Sequence, residues 1–161
     1  MQHKNNSLAQ IFKMDKQELK TICLTKIREQ QVELQLLIDE VQNASNNETK
    51  STAGDKHDTA RAQAQIEVER LNKQLSLLNA MHNELHRLPI HETNKIQLGS
   101  YVQTTQGNLY VAVALGRITF DTETFFVISS ASPLYNHLKG KCAGDQFELS
   151  QGNAGVIHNV T

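Results

Sequence analysis

The sequence is poor in the residues that mark disulfide-rich, membrane-spanning and nucleic-acid-binding proteins. Its two cysteines, Cys23 and Cys142, lie far apart, with no Cys or His at zinc-ligand spacing, which argues against a disulfide framework or a zinc module. It has no tryptophan, and no apolar run is long enough for a transmembrane helix. Lys and Arg (16) nearly balance Asp and Glu (17), so no basic field predicts direct, stable binding of nucleic acid.

The N-terminal sequence shows no targeting signal. Residues 1–7 are polar and precede no long apolar run, so we find no signal peptide. We therefore expect a cytoplasmic protein with no membrane partner.

The first half of the chain has no proline and almost no aromatic residues. The first of the two prolines is Pro89, and Phe12 is the one aromatic residue before position 100. The first half is instead rich in Gln, Leu, Glu, Lys and Ala, which favour helix, whereas the second half has strand composition. This predicts an α+β protein with a flexible extension over 1–14, a helical part over 15–88 and a β-rich domain over 89–161.

The helical part has two apolar stripes. Steps of four and three residues predict helices over 15–46 and 56–87, the first beginning at Asp15 with Glu18 three places on. The stripes predict an antiparallel coiled-coil hairpin in which each stripe covers the other and the outer faces are polar. Their members are Cys23, Ile27, Gln30, Leu34, Leu37 and Val41 in the first arm, and Ala64, Val68, Leu71, Leu75, Leu78, His82 and Leu85 in the second.

The hairpin tip, near 47–58, concentrates charge. The tip and the start of the second arm hold three carboxylates and three cations, namely Glu48, Asp55, Asp58, Lys50, Lys56 and Arg61. One interpretation is structural: Gly54 turns the chain, and Thr52 or Asp55 caps the second helix. The other is functional and rests on the family resemblance described below, which implies that the carboxylates are candidate catalytic groups and the cations partner contacts.

The second half alternates apolar runs with turns. We predict strands over 96–102, 109–113, 125–128, 146–149 and 156–160, with Gly107-Asn108 as a turn. Pro133 opens a short helix, at the position where proline is favoured.

Three motifs in this half resemble the C-terminal domain of the Gre family of transcript-cleavage factors. They are Ile128-Ser-Ser-Ala-Ser132-Pro133-Leu134, Leu138-Lys139-Gly-Lys141 and Gly144-Asp145. The order of parts also agrees, with a coiled-coil hairpin before an FKBP-like β domain, and the resemblance runs from about residue 15 to 160.

The resemblance implies a non-enzymatic factor that binds RNA polymerase and inserts its hairpin into the secondary channel. Tip acids, here Asp55 and Asp58, would share a transient magnesium ion with the polymerase, and no cofactor would be bound stably. The resemblance and the adjoining charges place polymerase contacts on the β domain at Ser132, Pro133, Leu134, Lys139 and Lys141.

The tip departs from the family pattern. The family motif is close to Asp-Leu-Ser-Glu-Asn-Ala-Glu-Tyr, whereas residues 50–57 read Lys-Ser-Thr-Ala-Gly-Asp-Lys-His. Aligned through Ala60-Arg61, the two leading acids meet Lys50 and Ala53. Polymerase binding therefore follows more directly from the resemblance than cleavage of backtracked RNA does.

Other interpretations stay open. They are a channel-blocking regulator without cleavage activity, a coiled-coil adaptor and a peptidyl-prolyl isomerase. A metal enzyme built on His82 and His86 is disfavoured, because Glu does not follow the first His as it does in zincins.

Overall fold

The computed structural model describes residues 14–48, 54–149 and 152–161. Two long helices precede a six-stranded sheet with one short helix, so the predicted α+β class, a helical hairpin followed by a β-rich domain, is confirmed. Within the described ranges no helix is long and apolar enough to cross a membrane. The elements are α1 (Lys16–Glu48), α2 (Asp55–Arg87), β1 (Tyr101–Thr104), β2 (Gly107–Ala112), β3 (Gly116–Phe120), β4 (Glu123–Ser129), α3 (Pro133–Leu138), β5 (Gln146–Glu148) and β6 (Ala154–Val160).

The hairpin has two arms of equal length. Each has 33 residues, which is about 50 Å at the rise of an α-helix. At mid-length the Gln31 Nε2 atom donates a hydrogen bond to Asn79 Oδ1 at 2.7 Å. At the base Lys20 Nζ donates to the carbonyl oxygens of His86 at 2.8 Å and Leu88 at 2.7 Å. This cation satisfies acceptors that the C-terminal end of α2 leaves unpaired.

The base of the hairpin packs directly on the sheet. Leu19, Cys23 and Ile27 follow each other at four-residue steps on one face of α1 and are fully buried. Together with Leu85 and Leu88 they share a core with side chains from the β domain, namely Tyr101, Tyr110, Ala112, Val113, Ile118, Phe125 and Val127. The hairpin and the β domain are therefore joined by a common core.

The sheet has two covered faces. Its strand order is β3-β4-β2-β1-β6-β5, and β2 pairs with β4 in parallel while the other pairs are antiparallel. Side chains alternate between the faces: Tyr110 and Ala112 point to the hairpin, whereas Leu109 and Val111 point to a second core that contains Tyr135 of α3. The sheet thus forms a layer between the hairpin base and α3.

Three predictions for the strands were wrong. The strand β3 was missed, since Ile118 alone of its five residues is buried and the alternation is weak. The strand predicted over 96–102 begins only at Tyr101, because Gly99 has a φ of 90° and the Gln97 amide donates to Ser100 Oγ at 3.0 Å, which forms a turn. The predicted turn Gly107-Asn108 is instead the start of β2.

Candidate functional site

The hairpin tip is formed by the end of α1 and the beginning of α2. α1 ends at Glu48, and α2 begins at Asp55 after Gly54, whose φ of 132° is a conformation that favours glycine. Asp55 is therefore the first helical residue, so the prediction that it caps α2 was wrong; no side-chain cap bond is made at Gly54. Lys50 and Thr52 lie outside the described residues, and so does the Glu48 side chain.

Asp55 and Asp58 both lie in the first turn of α2. Their spacing of three residues puts them on the same side of the helix, and both are exposed, with 90% of the Asp58 side chain accessible. Asp58 Oδ1 lies 3.9 Å from Nδ1 of the half-buried His57. Carboxylates at this position are stabilised by the positive end of the helix dipole. The structure thus places both candidate acids, exposed, at the beginning of α2.

These two carboxylates fit a shared magnesium ion by their chemistry. They are hard oxygen donors, the ligand type that magnesium prefers. Among the described residues, no group of three or more His, Cys, Asp or Glu side chains could hold a metal ion. The pair can therefore supply some of the ligands of an octahedral ion, while the remaining ligands would come from water or a partner.

The structure describes two of the three predicted cations of the tip. Lys56 and Arg61 are exposed on α2. Arg61 lines a shallow groove of about 420 Å³ between the two arms, together with Gln42, Asn46 and Glu69. This part of the tip presents mainly polar and charged groups to a partner.

The second group of predicted contacts lies on and next to α3. Ser132 is the N-cap residue and Pro133 the first helical residue, as predicted. Pro133 and Lys139 are exposed, whereas Leu134 is half-buried against the second core. Lys141 is partly buried, and its carbonyl oxygen accepts a hydrogen bond from the Ile96 amide at 2.9 Å. These residues thus lie within α3 or next to its ends, and Leu134 also packs against the second core.

The two candidate regions lie far apart. Asp55 and Leu85 are separated by about 45 Å along α2, and α3 lies beyond Leu85, on the sheet face that does not contact the hairpin. One partner that contacted both regions would have to extend along the whole hairpin.

The prediction that the outer faces of the hairpin are polar was wrong. Leu36 is 64% exposed, Leu77 66% and Val32 61%. Leu37 was assigned to the seam but is 40% exposed, while its neighbour Ile38 is buried. The signal was present in the sequence: residues 34–38 read Leu-Gln-Leu-Leu-Ile, which is more apolar than a single narrow seam can bury. A groove of about 720 Å³ runs along this side of the hairpin between Leu36 and Met81.

The two histidines of α2 lie side by side. The rings of His82 and His86 stack with centroids 6.2 Å apart and planes inclined by 17°. His82 is half-buried at the arm interface, as its seam position predicted.

The buried ionisable groups of the base lie in an apolar environment. Burial raises the pKa of the Cys23 thiol to about 12. The pKa of Tyr110 is raised to about 12 by burial and, to a smaller extent, by Cys23. Burial and then Glu123 raise the pKa of Tyr101 to about 12. All three are therefore protonated near neutral pH, and Cys23 is an unreactive packing residue.

Comparison with known proteins gives structural neighbours alone. No protein-family model and no curated protein matches the chain. A solved structure of the transcription factor Gfh1 is 20% identical, covers 85% of this chain and 92% of its own, and has a TM-score of 0.34. GreA factor homolog 1 (Gfh1) of Thermus thermophilus is 22% identical over 92% of this chain and 96% of its own, with a TM-score of 0.33.

A third structure, Gfh1 of Thermus aquaticus, is 20% identical, covers 84% of this chain and 92% of its own, and has a TM-score of 0.30. At such identities and TM-scores the likeness is limited to the fold and carries no argument about activity. The chain is similar in fold to homologues of a Gre factor, the family that its sequence resembles.

Proposed function

We propose that this protein is a Gre-like transcription factor that binds RNA polymerase and inserts its hairpin into the secondary channel. One observation carries the proposal. The Gre-like motif at Ser132-Pro133-Leu134 lies on a domain that shares a core with the base of a hairpin of about 50 Å, and exposed Asp55 and Asp58 lie at the far end of that hairpin. The factor is not itself an enzyme, and at most it assists the polymerase's own RNA cleavage.

The geometry suits action at a distance. Because the base of the hairpin is fixed in the core of Leu19, Ile27 and Leu85, the direction of the arms is set by the β domain. A domain that docks at the channel mouth through Pro133 and Lys139 would therefore aim the tip along a defined path. At the end of that path, Asp55 and Asp58 would share a magnesium ion with the polymerase.

The test is RNA cleavage in a stalled, backtracked elongation complex with the cognate polymerase and magnesium. Wild type is compared with Asp55→Ala, Asp58→Ala and Glu48→Ala. Glu84→Ala is the matched control, because it removes an exposed carboxylate near the base of α2. We expect faster cleavage with wild type and the control, and loss of that effect with at least one tip variant. If none of the proteins binds purified core polymerase, the proposal is wrong.

A channel-blocking regulator is the second candidate. Lys50 and Ala53 stand where the family motif has its leading acids, and a lysine would repel magnesium. For this candidate we expect no stimulation of cleavage, but competition with a known Gre factor for polymerase. Competition should survive the Asp55→Ala and Asp58→Ala changes and weaken when Pro133 or Lys139 is replaced.

The coiled-coil adaptor is a third candidate, favoured by the exposed Leu36 and Leu77 on the side of the hairpin. Large exposed apolar side chains that lie together often mark interaction surfaces. The double variant Leu36→Ser/Leu77→Ser separates the candidates. An adaptor would lose its partner, whereas a polymerase factor that docks through the β domain and the tip would keep most of its affinity for polymerase.

A further inference from the structure

An apolar groove lies between the base of α1 and the edge of the sheet. It has a volume of about 740 Å³, and Ile22, Ile118 and Phe120 form its apolar lining. Ile118 is nearly buried, whereas Phe120 keeps 39% of its surface exposed. The charged side chains at its rim are Asp15, Glu18, Lys26, Glu29 and Arg117.

The groove runs beside an open sheet edge. β3 is the terminal strand of the sheet, and β4 is its one neighbour among the described strands. An open edge of this kind is a site where other chains pair or aggregate, and natural proteins often cover it with another segment. A cover for β3 would also lie against α1, because both elements line the groove.

The rim of the groove is acidic where the described chain begins. Lys26 Nζ pairs with Glu29 Oε2 at 3.5 Å, so these two charges largely offset each other. Asp15 and Glu18 remain as exposed acids at the N-terminal end of α1, and Arg117 on β3 remains as an exposed cation, so the five rim charges together leave one net negative charge. A segment that enters the groove from this end would be favoured if it were basic.

The segment that precedes Met14 is basic and carries apolar side chains. Residues 1–13 contain Lys4 and Lys13 and no acid. Their large apolar side chains, Leu8, Ile11 and Phe12, fall at positions i, i+3 and i+4, so one face of a helical turn would carry all three. Phe12 is the one aromatic residue of the first hundred positions. The segment thus matches the groove in both apolar surface and charge.

The chain that precedes Met14 is long enough to reach along the groove. The groove follows α1 from Asp15 to Glu29, which is about 21 Å at the helical rise. Thirteen residues span about 20 Å as a helix and roughly twice that distance when extended. The leucine groove farther along the hairpin is too distant. Phe12 reaches about 7 Å from Met14, whereas Leu36 lies about 33 Å along α1.

We propose that residues 1–13 bind in the groove between α1 and β3 of the same chain, with Leu8, Ile11 and Phe12 on Ile22, Ile118 and Phe120. The segment then acts as a strap that covers the open edge of β3 and joins the hairpin base to the sheet. This inference is independent of the proposed function.

The test is intramolecular cross-linking with a short bismaleimide, read by mass spectrometry at low protein concentration. The Gln10→Cys/Thr119→Cys pair is built with Cys142→Ala, and Cys23 stays because it is buried. The matched control is Gln10→Cys/Ile90→Cys. Ile90 lies in another groove, of about 360 Å³, that adjoins Met14. Residue 10 can therefore reach either Thr119 or Ile90 from its attachment at Met14. We expect several-fold more cross-link in the Thr119→Cys pair.

A second comparison tests the apolar contacts. Replacing Leu8, Ile11 and Phe12 by Ser should reduce the cross-link to the level of the control and speed amide hydrogen exchange in the peptide that covers β3. Replacing Gln2, Asn5 and Asn6 by Ser should change neither. Equal cross-linking of Thr119→Cys and Ile90→Cys would overturn the proposal. So would a cross-link between two chains, or one that survives the loss of the three apolar side chains.

Discussion

The lower and upper halves of the hairpin differ although they belong to the same two helices. In the lower half Leu19, Cys23, Ile27 and Leu85 are fully buried, because the arms pack on each other and on the sheet. In the upper half Ile38 and Leu71 are buried, while Leu36 and Ile66 are mostly exposed. The lower half is thus part of the domain core, and the upper half is a projecting element available to a partner.

This difference shows that a repeated apolar stripe does not by itself predict which of its side chains are buried. A two-helix rod can bury one narrow seam, and any further apolar side chain remains exposed unless a third layer covers it. The sheet supplies that third layer at the base. Variants placed in the two halves should therefore respond differently, and the following predictions are ordered from the largest expected effect to the smallest.

The largest effect is expected from Ile27→Ala. It removes a side chain with no exposed surface from the core between hairpin and sheet, so the free energy of unfolding should fall by about 3 kcal/mol. Leu36→Ala, in the same helix but 64% exposed, should cost less than about 0.5 kcal/mol. Urea denaturation followed by circular dichroism measures both. Similar losses would mean that the two halves do not differ as described.

Alkaline pH should destabilise the core at the base of the hairpin. Burial raises the Cys23 pKa from 9.0 to about 12, so its contribution to stability is fully present below pH about 9 and is lost as pH rises towards 12. The pKa values of Tyr101 and Tyr110 are raised from 10.0 to about 12, so these two residues add a further loss of stability above pH about 10. The urea midpoint should therefore fall over this window. In Cys23→Ala the fall between pH 9 and 10 should be smaller, and an unchanged slope there would contradict the assignment.

Lys20→Met should give an intermediate effect. The change removes the cation that donates to the carbonyl oxygens of His86 and Leu88 at the end of α2. A loss of about 1.5 kcal/mol in unfolding free energy is expected, because charged donors make stronger hydrogen bonds. Lys26→Met is the control, since Lys26 is exposed and pairs with Glu29 alone among the described contacts. Equal losses from the two variants would exclude a special role for Lys20.

The smallest effect is expected in the upper half, at an ion pair. Arg70 contacts the carboxylate of Glu67 one turn away, and this contact lowers the Glu67 pKa through its hydrogen bond and charge. Because the Arg70 and Glu67 side chains keep 54% and 41% of their surface exposed, solvent screens the pair. Glu67→Gln should leave the urea midpoint unchanged within error. A clear destabilisation would show that the upper half depends on its surface charges more than its burial suggests.

Much of the fold follows from patterns in the sequence. The arms were predicted to within two residues at each end because an apolar stripe over many turns gives a strong helical signal. The proline-led helix α3 was also predicted, since Pro133 fixes the first turn. β3 was missed because an edge strand with one buried residue has little alternation to detect.

The candidate site was predicted less completely. Residue types identified Asp55 and Asp58 as acids near the start of the second helix, because this position in the chain needs no tertiary information. Residue spacing could not predict the turn over residues 96–100. Its Ile96 amide donates to the Lys141 carbonyl oxygen, and its Ile96 carbonyl oxygen accepts from the Gly140 amide. Nor could residue spacing identify the groove between α1 and β3, whose two walls are about a hundred positions apart in the chain.

The sequence by itself therefore determined the local elements and their order. It specified two long helices joined at a charged tip, a β-rich half, and the Gre-like motif around Pro133. The tertiary structure alone decided that Leu19, Cys23 and Ile27 face the sheet, while Leu36 and Leu77 remain exposed. The physical reason is that periodicity marks which side chains share a face of a helix, whereas burial of that face depends on which distant segment packs against it.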